Sequence, residues 1–134
     1  MKTGEMTASI TGTGTFFSSD ATAQSGSTTY DVRATVKNNL NVDSLIIQLK
    51  VPKQTLVPYT VDLSVDNNAN ITYCIFRSNA CDSYVADKIT SGSSGQIRIT
   101  STSPNLEGTF SGTLAQVGGS KSVSISNGEF NAGF

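Results

Sequence analysis

Histidine and tryptophan are absent from this 134-residue chain, and it has only two cysteines and three prolines. The missing histidine removes the usual general base near neutral pH, the serine–histidine–acid triad and nearly all zinc sites. Charge is scarce as well: 14% of residues are Asp, Glu, Lys or Arg and the net charge is −1, where about a quarter is usual. The nine Lys and Arg residues are scattered singly. No basic stripe is present to displace the counterions of a phosphate backbone, so no nucleic-acid partner is expected. The longest aliphatic run is Leu45-Ile46-Ile47, far short of the roughly 18 apolar residues that a membrane-spanning helix needs. Apolar residues never recur at i, i+3, i+4 and i+7 over a dozen positions, which predicts little or no helix. Met1 to Glu5 lacks the apolar segment of a secretory signal, leaving either a cytosolic protein or a mature region whose export segment precedes Met1.

What is present is hydroxyl and alternation. Ser and Thr number 36, so the solvent faces are covered by hydroxyls rather than ions. Leu, Ile, Val and Phe number 32, above the roughly 20% below which chains tend to disorder. A chain of this length fits one domain, residues 1–134, with a single core.

Met6, Ala8 and Ile10 alternate, and Gly12 and Gly14 then predict a bend before Phe16-Phe17. A short strand follows at Ala21 to Gln24. Tyr30, Val32, Ala34 and Val36 alternate with Asp31, Arg33, Thr35 and Lys37, and Leu45, Ile47, Leu49 and Val51 follow a loop at Asn38-Asn39-Leu40-Asn41, so these two strands should form a hairpin. Val57, Tyr59, Val61, Leu63 and Val65 predict a further strand, with Pro58 favouring an edge position. Ile71, Tyr73 and Ile75 resume the alternation after the turn cluster Asp66 to Asn70. From Asp82 to Ser94 the pattern fades, and the segment reads as the least regular of the chain. Three strands close the sequence, over Ile97-Arg98-Ile99, Leu106 to Leu114 and Val123 to Phe130; Val117-Gly118-Gly119-Ser120 joins the last two. Eight to ten strands with polar outer faces predict an all-β fold, an antiparallel β-sandwich.

Cys74 and Cys81 flank six residues. A hairpin turning at Arg77-Ser78 sets them directly opposite each other, at about the separation a disulfide needs. A structural disulfide and two free thiols both fit; with no histidine and no third cysteine, a metal set does not. The same register places Asp82 opposite Tyr73, on the inward face.

Each constellation that could carry chemistry has a plainer reading. Asp31, Asp62, Asp82, Asp87, Glu107 and Glu129 are candidates for the carboxylate pair of a glycosidase by residue type alone. Asp66-x-Asn68-x-Asn70 copies the first ligands of a calcium loop, but Ile71 and Arg77 stand where Gly and Glu are required, so a structural turn is expected. Gly12-Thr13-Gly14 and Gly118-Gly119 precede no helix and read as bends rather than phosphate cradles. Asn70-Ile71-Thr72 fits a glycosylation acceptor in a eukaryotic setting. Phe16, Phe17 and Tyr84 are the candidate ligand contacts, since flat apolar rings stack on sugars. No catalytic, cofactor-binding or metal residues are assigned, and no cofactor is expected.

G-x-I-x-I-T at Gly95 to Thr100, L-x-G-T-F-S-G-T-L at Leu106 to Leu114 and V-x-I-S-N-G-E-F at Val123 to Phe130, with the opening Met6-Thr7-Ala8-x-Ile10-x-Gly12, resemble a family of small exported lipoproteins from Bacteroidetes. The likeness covers both ends of the chain and about 45 residues. The family often carries an aromatic, commonly Trp, soon after the opening glycine, where this chain has Phe16-Phe17, and the cysteine pair is no feature of it. The resemblance implies a secreted, lipid-anchored domain, periplasmic or on the outer-membrane surface, its anchor lying upstream of Met1. It carries over no functional residues. The expected function is therefore non-catalytic, binding a glycan or protein ligand at the cell surface. A structural subunit of a surface fibre or decoration module is the alternative, and a two-carboxylate glycoside hydrolase is less favoured.

Overall fold

A computed structural model describes residues 1–37, 43–77 and 79–134, with the backbone alone at 37, 43 and 77. Eleven strands account for it: β1 (Glu5–Ile10), β2 (Gly14–Ser18), β3 (Thr22–Ser25), β4 (Thr29–Lys37), β5 (Asp43–Pro52), β6 (Tyr59–Asp62), β7 (Asn70–Arg77), β8 (Ala80–Ala86), β9 (Ser94–Ser101), β10 (Leu106–Gln116) and β11 (Ser122–Ala132). The described residues contain no helix. The fold is all-β, and every pair of neighbouring strands runs antiparallel.

The strands do not divide into two unconnected layers. One sheet runs β2-β1-β11-β10-β8-β7-β5-β4-β3, and β9 and β6 branch from it at β10. The fork exists because β10 is long enough to serve two partners. Glu107 to Thr113 pair with β9, while Ala115 and Gln116 pair with β8. The sheet curls until β3, at one end, meets the residue that follows β11: Thr22 bridges Gly133, and Ala23 N–H donates to the Gly133 carbonyl at 2.8 Å. Asp20 clips this seam, with Oδ1 accepting from Ser18 Oγ at 2.6 Å and from Thr35 N–H at 2.8 Å, and Oδ2 accepting from Thr35 Oγ1. Ser18 and Thr35 are buried polar groups, and this clip satisfies them. Inside the curl, one apolar cluster takes side chains from all eleven strands.

The two central strands fit together through an exchange of glycine for aromatic ring. Gly108 pairs with Phe130, and Phe110 with Gly128. A Cβ on Gly108 would stand 2.1 Å from the Arg98 carbonyl oxygen and 2.9 Å from Phe130 Cζ; one on Gly128 would stand 2.8 Å from two carbons of the Phe110 ring. Each ring therefore lies over the glycine of the opposite strand, and the two ring centroids are 6.2 Å apart. Directly after this box, β11 slips by one residue against both neighbours, around Asn127 at φ 52°. Asn-Gly at 127–128 is thus a bulge within a strand rather than a hairpin turn, and it adds the local twist that a curling sheet needs.

Several sequence expectations shift. The strand expected from Val57 to Val65 is limited to Tyr59–Asp62, and Val65 is exposed. Asp62 ends it: its Oδ1 accepts from Ser64 N–H at 2.9 Å and Ser64 Oγ at 2.7 Å, and its carbonyl accepts from the amides of Val65 and Asp66. The two bonds from Ser64, its hydroxyl first and then its amide, hold the Asp62 carboxyl below its ordinary value. β6 pairs with β9 alone and lies at an edge, where Pro58 points. The segment expected to be irregular from Asp82 is β8 as far as Ala86, with Tyr84 and Ala86 buried. Its inward face is disguised because Asp82 and the small Ala86 stand where large apolar residues would announce it. The loop at Asn38 to Asn41 and the turn residue Ser78 lie outside the described residues.

Gly108→Ala and Gly128→Ala should each destabilise the fold by about 1–3 kcal/mol, the usual cost of overpacking. Urea unfolding checks this, with an unchanged midpoint in both variants as the contrary result.

Candidate functional site

The most enclosed of the large grooves lies on the outer face of β3, β4, β5 and β7, with a volume of about 420 Å³. Strand register builds it. Thr22, Arg33, Gln48 and Thr72 form one cross-strand row, and Gln24, Asp31, Lys50 and Asn70 form the next. Paired residues share a face, and alternate residues along a strand return to it, so the eight side chains make a two-row grid. Their sequence neighbours Val32, Leu49 and Ile71 point into the core and fix the grid from below.

Among the described residues, the side chains of Gln24, Asp31, Arg33, Gln48, Lys50 and Asn70 make no hydrogen bond or ion pair within the protein. Three amides, one guanidinium, one ammonium and one carboxylate are therefore free for a ligand. The two cations outnumber the single carboxylate, so the groove is net positive. It can bind and orient; it does not hold the two carboxylates of a hydrolase. Three further grooves among the described residues contain one acid each: Asp62, Glu129 and Asp87. Nor do three His, Cys, Asp or Glu side chains gather anywhere among the described residues.

The residues singled out in the sequence scatter. Phe16 and Tyr84 are buried in the core, and Phe17, 52% exposed, keeps its ring in solvent on β2. Asp66 Oδ1 accepts from Asn68 N–H at 2.8 Å, closing the turn that resembles a calcium loop. Asp82 accepts from Gln116 Nε2 at 3.0 Å, and Asp87 from the amides of Ile89 and Thr90. Asn70 of the glycosylation tripeptide stands in the groove.

Cys74 and Cys81 are joined in a disulfide, with Cα atoms 5.7 Å apart. The register differs from the expected one. Arg77 pairs with Ala80, so Cys81 faces Phe76 and Cys74 faces Ser83; the bridge runs diagonally on one face. Moving the turn one residue onward also sets Asp82 opposite Ile75 and leaves Tyr84 to pair with Tyr73, whose ring it approaches at 6.1 Å.

An aromatic group that sequence reading missed gathers beside the seam. The Tyr30 and Phe134 ring centroids are 5.9 Å apart. Lys53 Nζ sits 4.9 Å from the Tyr30 centroid and donates to Ser25 Oγ at 2.6 Å. Tyr59 donates its hydroxyl to the Pro52 carbonyl at 2.7 Å. Burial, with a smaller contribution from Tyr30, raises the Tyr59 phenol above its ordinary value. The groove residues were visible in the sequence only as the polar half of each alternation, with no signal for which strands would be neighbours.

No family model, curated protein or solved structure matches this chain.

Two measurements follow from these contacts. Thiol titration under denaturing, non-reducing conditions should find no free thiol, and Cys81→Ala should cost roughly 2–3 kcal/mol; two titratable thiols would contradict the bridge. A raised Tyr59 means that the folded state keeps a proton the unfolded state releases, so stability is full below about pH 10 and falls as pH rises through the folded value. Ultraviolet titration should show a late phenol component that Tyr59→Phe removes.

Proposed function

We propose that this chain is the non-catalytic β domain of an exported, lipid-anchored surface protein, and that it binds a glycan in the groove across β3, β4, β5 and β7. The observation that carries the reading is the unengaged two-row grid. Amides and hydroxyls at regular strand spacing offer the mixed donors and acceptors that sugar hydroxyls require, on a scaffold whose inner face is fixed by the core. With Arg33 and Lys50 against Asp31, the groove favours an acidic sugar over a neutral one.

The disulfide supports an oxidising compartment outside the cytoplasm. A surface rich in Ser and Thr and the resemblance of the closing strands to exported lipoproteins support the same location. No helix among the described residues is long and apolar enough to cross a membrane; attachment in this reading comes from a lipid anchor upstream of Met1. A structural subunit is the second reading. It draws on β2, the last strand on its side of the sheet, with the exposed Phe17, an edge suited to pairing with another chain.

A glycan array should give binding that weakens about tenfold or more in Arg33→Ala and in Gln48→Ala, the scale of a lost charged or amide hydrogen bond. Glu129→Gln, on the other arm of the sheet, should leave it unchanged. Silence on the array and against outer-membrane extracts would refute the reading. Concentration-dependent association abolished by Phe17→Ser would favour the structural subunit instead.

A further inference from the structure

One row on the outer face of β1, β11 and β10 lies next to the row in which Thr7, Glu129 and Thr109 are paired. Glu5 pairs with Asn131, and Asn131 pairs with Glu107. The three side chains leave adjacent strands on the same face, each beside the next. Their neighbours Met6, Phe130, Ala132 and Leu106 are buried on the other side. Asn131 is nevertheless only 7% exposed.

The start of the chain covers it. Asn131 Nδ2 donates to the Met1 carbonyl at 3.0 Å, Gly4 N–H donates to the Asn131 carbonyl at 2.7 Å, and Lys2 N–H donates to Glu5 Oε1 at 2.9 Å. The bond to Met1 fixes which way the amide faces, because the flipped form would set two acceptors against each other. Oδ1 is therefore the end left over. Among the described residues it is the one buried side-chain polar atom without a hydrogen-bond partner. A buried acceptor in that state bears its full desolvation cost. Register sets Glu5 and Glu107 on either side of Asn131, and a carboxylate brings acceptors only. An orphan amide oxygen on a strand flanked by two acidic residues is short of a positive partner.

We propose that Glu5, Asn131 and Glu107 bind a hard divalent cation, Ca²⁺ above all, with Asn131 Oδ1 as the central ligand and a carboxylate reaching in from each neighbouring strand. The ligand chemistry is all oxygen, which selects against zinc and copper. Two carboxylates balance the charge of the ion. The outer members of the row stand two strand spacings apart, roughly 9.6 Å, and the irregular, water-completed shell of Ca²⁺ tolerates such a span where the strict octahedron of Mg²⁺ does not. Three strands that meet at the N-terminal segment would thereby be tied together on their outer face.

Calorimetric titration of the 134-residue chain with calcium chloride tests the site. One saturable event is expected, with a dissociation constant on the order of 10⁻⁴ to 10⁻³ M, the range of extracellular calcium modules. Thermal unfolding should shift upward in the same titration, and magnesium should bind more weakly. Glu5→Gln and Glu107→Gln, both at partly exposed positions and nearly isosteric, should each weaken Ca²⁺ at least about tenfold. Asn131→Asp, which adds a third carboxylate, should tighten it while lowering stability in the absence of the ion. A row that merely holds a water molecule would show no calcium dependence in any variant. That result, or binding unaltered by both Glu→Gln changes, would overturn the proposal.

Discussion

Two phenylalanine rings lying over two glycines hold the centre of this sheet together. Phe130 occupies the space that a Gly108 side chain would take, and Phe110 does the same over Gly128. Both exchanges occur on the same pair of strands, and the two ring centroids stand 6.2 Å apart. β10 and β11, at eleven residues each, are the longest strands among the described residues, and their neighbours on either side extend from this box. β9 and β6 branch from one side of β10, β8 continues from its far end, and β1 and β2 extend from β11. The bulge at Asn127 then bends the sheet just beyond the rings, allowing its ends to meet at the Asp20 clip.

That arrangement assigns the two faces different work. The inner face supplies cohesion: one apolar cluster, with the buried hydroxyls of Ser18 and Thr35 satisfied at the seam. The outer face is left to amides, hydroxyls and a few charges, held at fixed spacing by strands that have no freedom to slide. A one-residue slip would send every polar side chain of the groove into the core. Register therefore supports both the proposed glycan groove and the Glu5–Asn131–Glu107 row, which sit on different parts of the sheet and are independent of each other.

Much of this was legible in the sequence, and the exceptions have physical causes. The alternation of Met6, Ala8 and Ile10, of Tyr30 to Val36 and of Leu45 to Val51 gives β1, β4 and β5 directly, because period-two patterning is what a sheet buried on one face requires. β8 was hidden because its inward positions include Asp82 and Ala86. The strand around Tyr59 ends early because Asp62 captures the Ser64 amide and hydroxyl, a local competition that hydropathy does not register. The disulfide pair was evident, but its diagonal placement depends on a turn one residue further along than the cysteine spacing suggests. Both outer-face sites escaped notice for one reason. Gln24, Asp31, Lys50 and Asn70 come from four strands, and Glu5, Glu107 and Asn131 from opposite ends of the chain, so only strand order unites them.

Native-state hydrogen exchange tests the claim about the centre of the sheet most directly. If the glycine–phenylalanine box holds the fold together, the hydrogen-bonded amides of β10 and β11 around Gly108, Phe110, Gly128 and Phe130 should exchange only through global unfolding, with the greatest protection in the chain. Exchange of those amides through a local opening, while β4 and β5 remain protected, would contradict it.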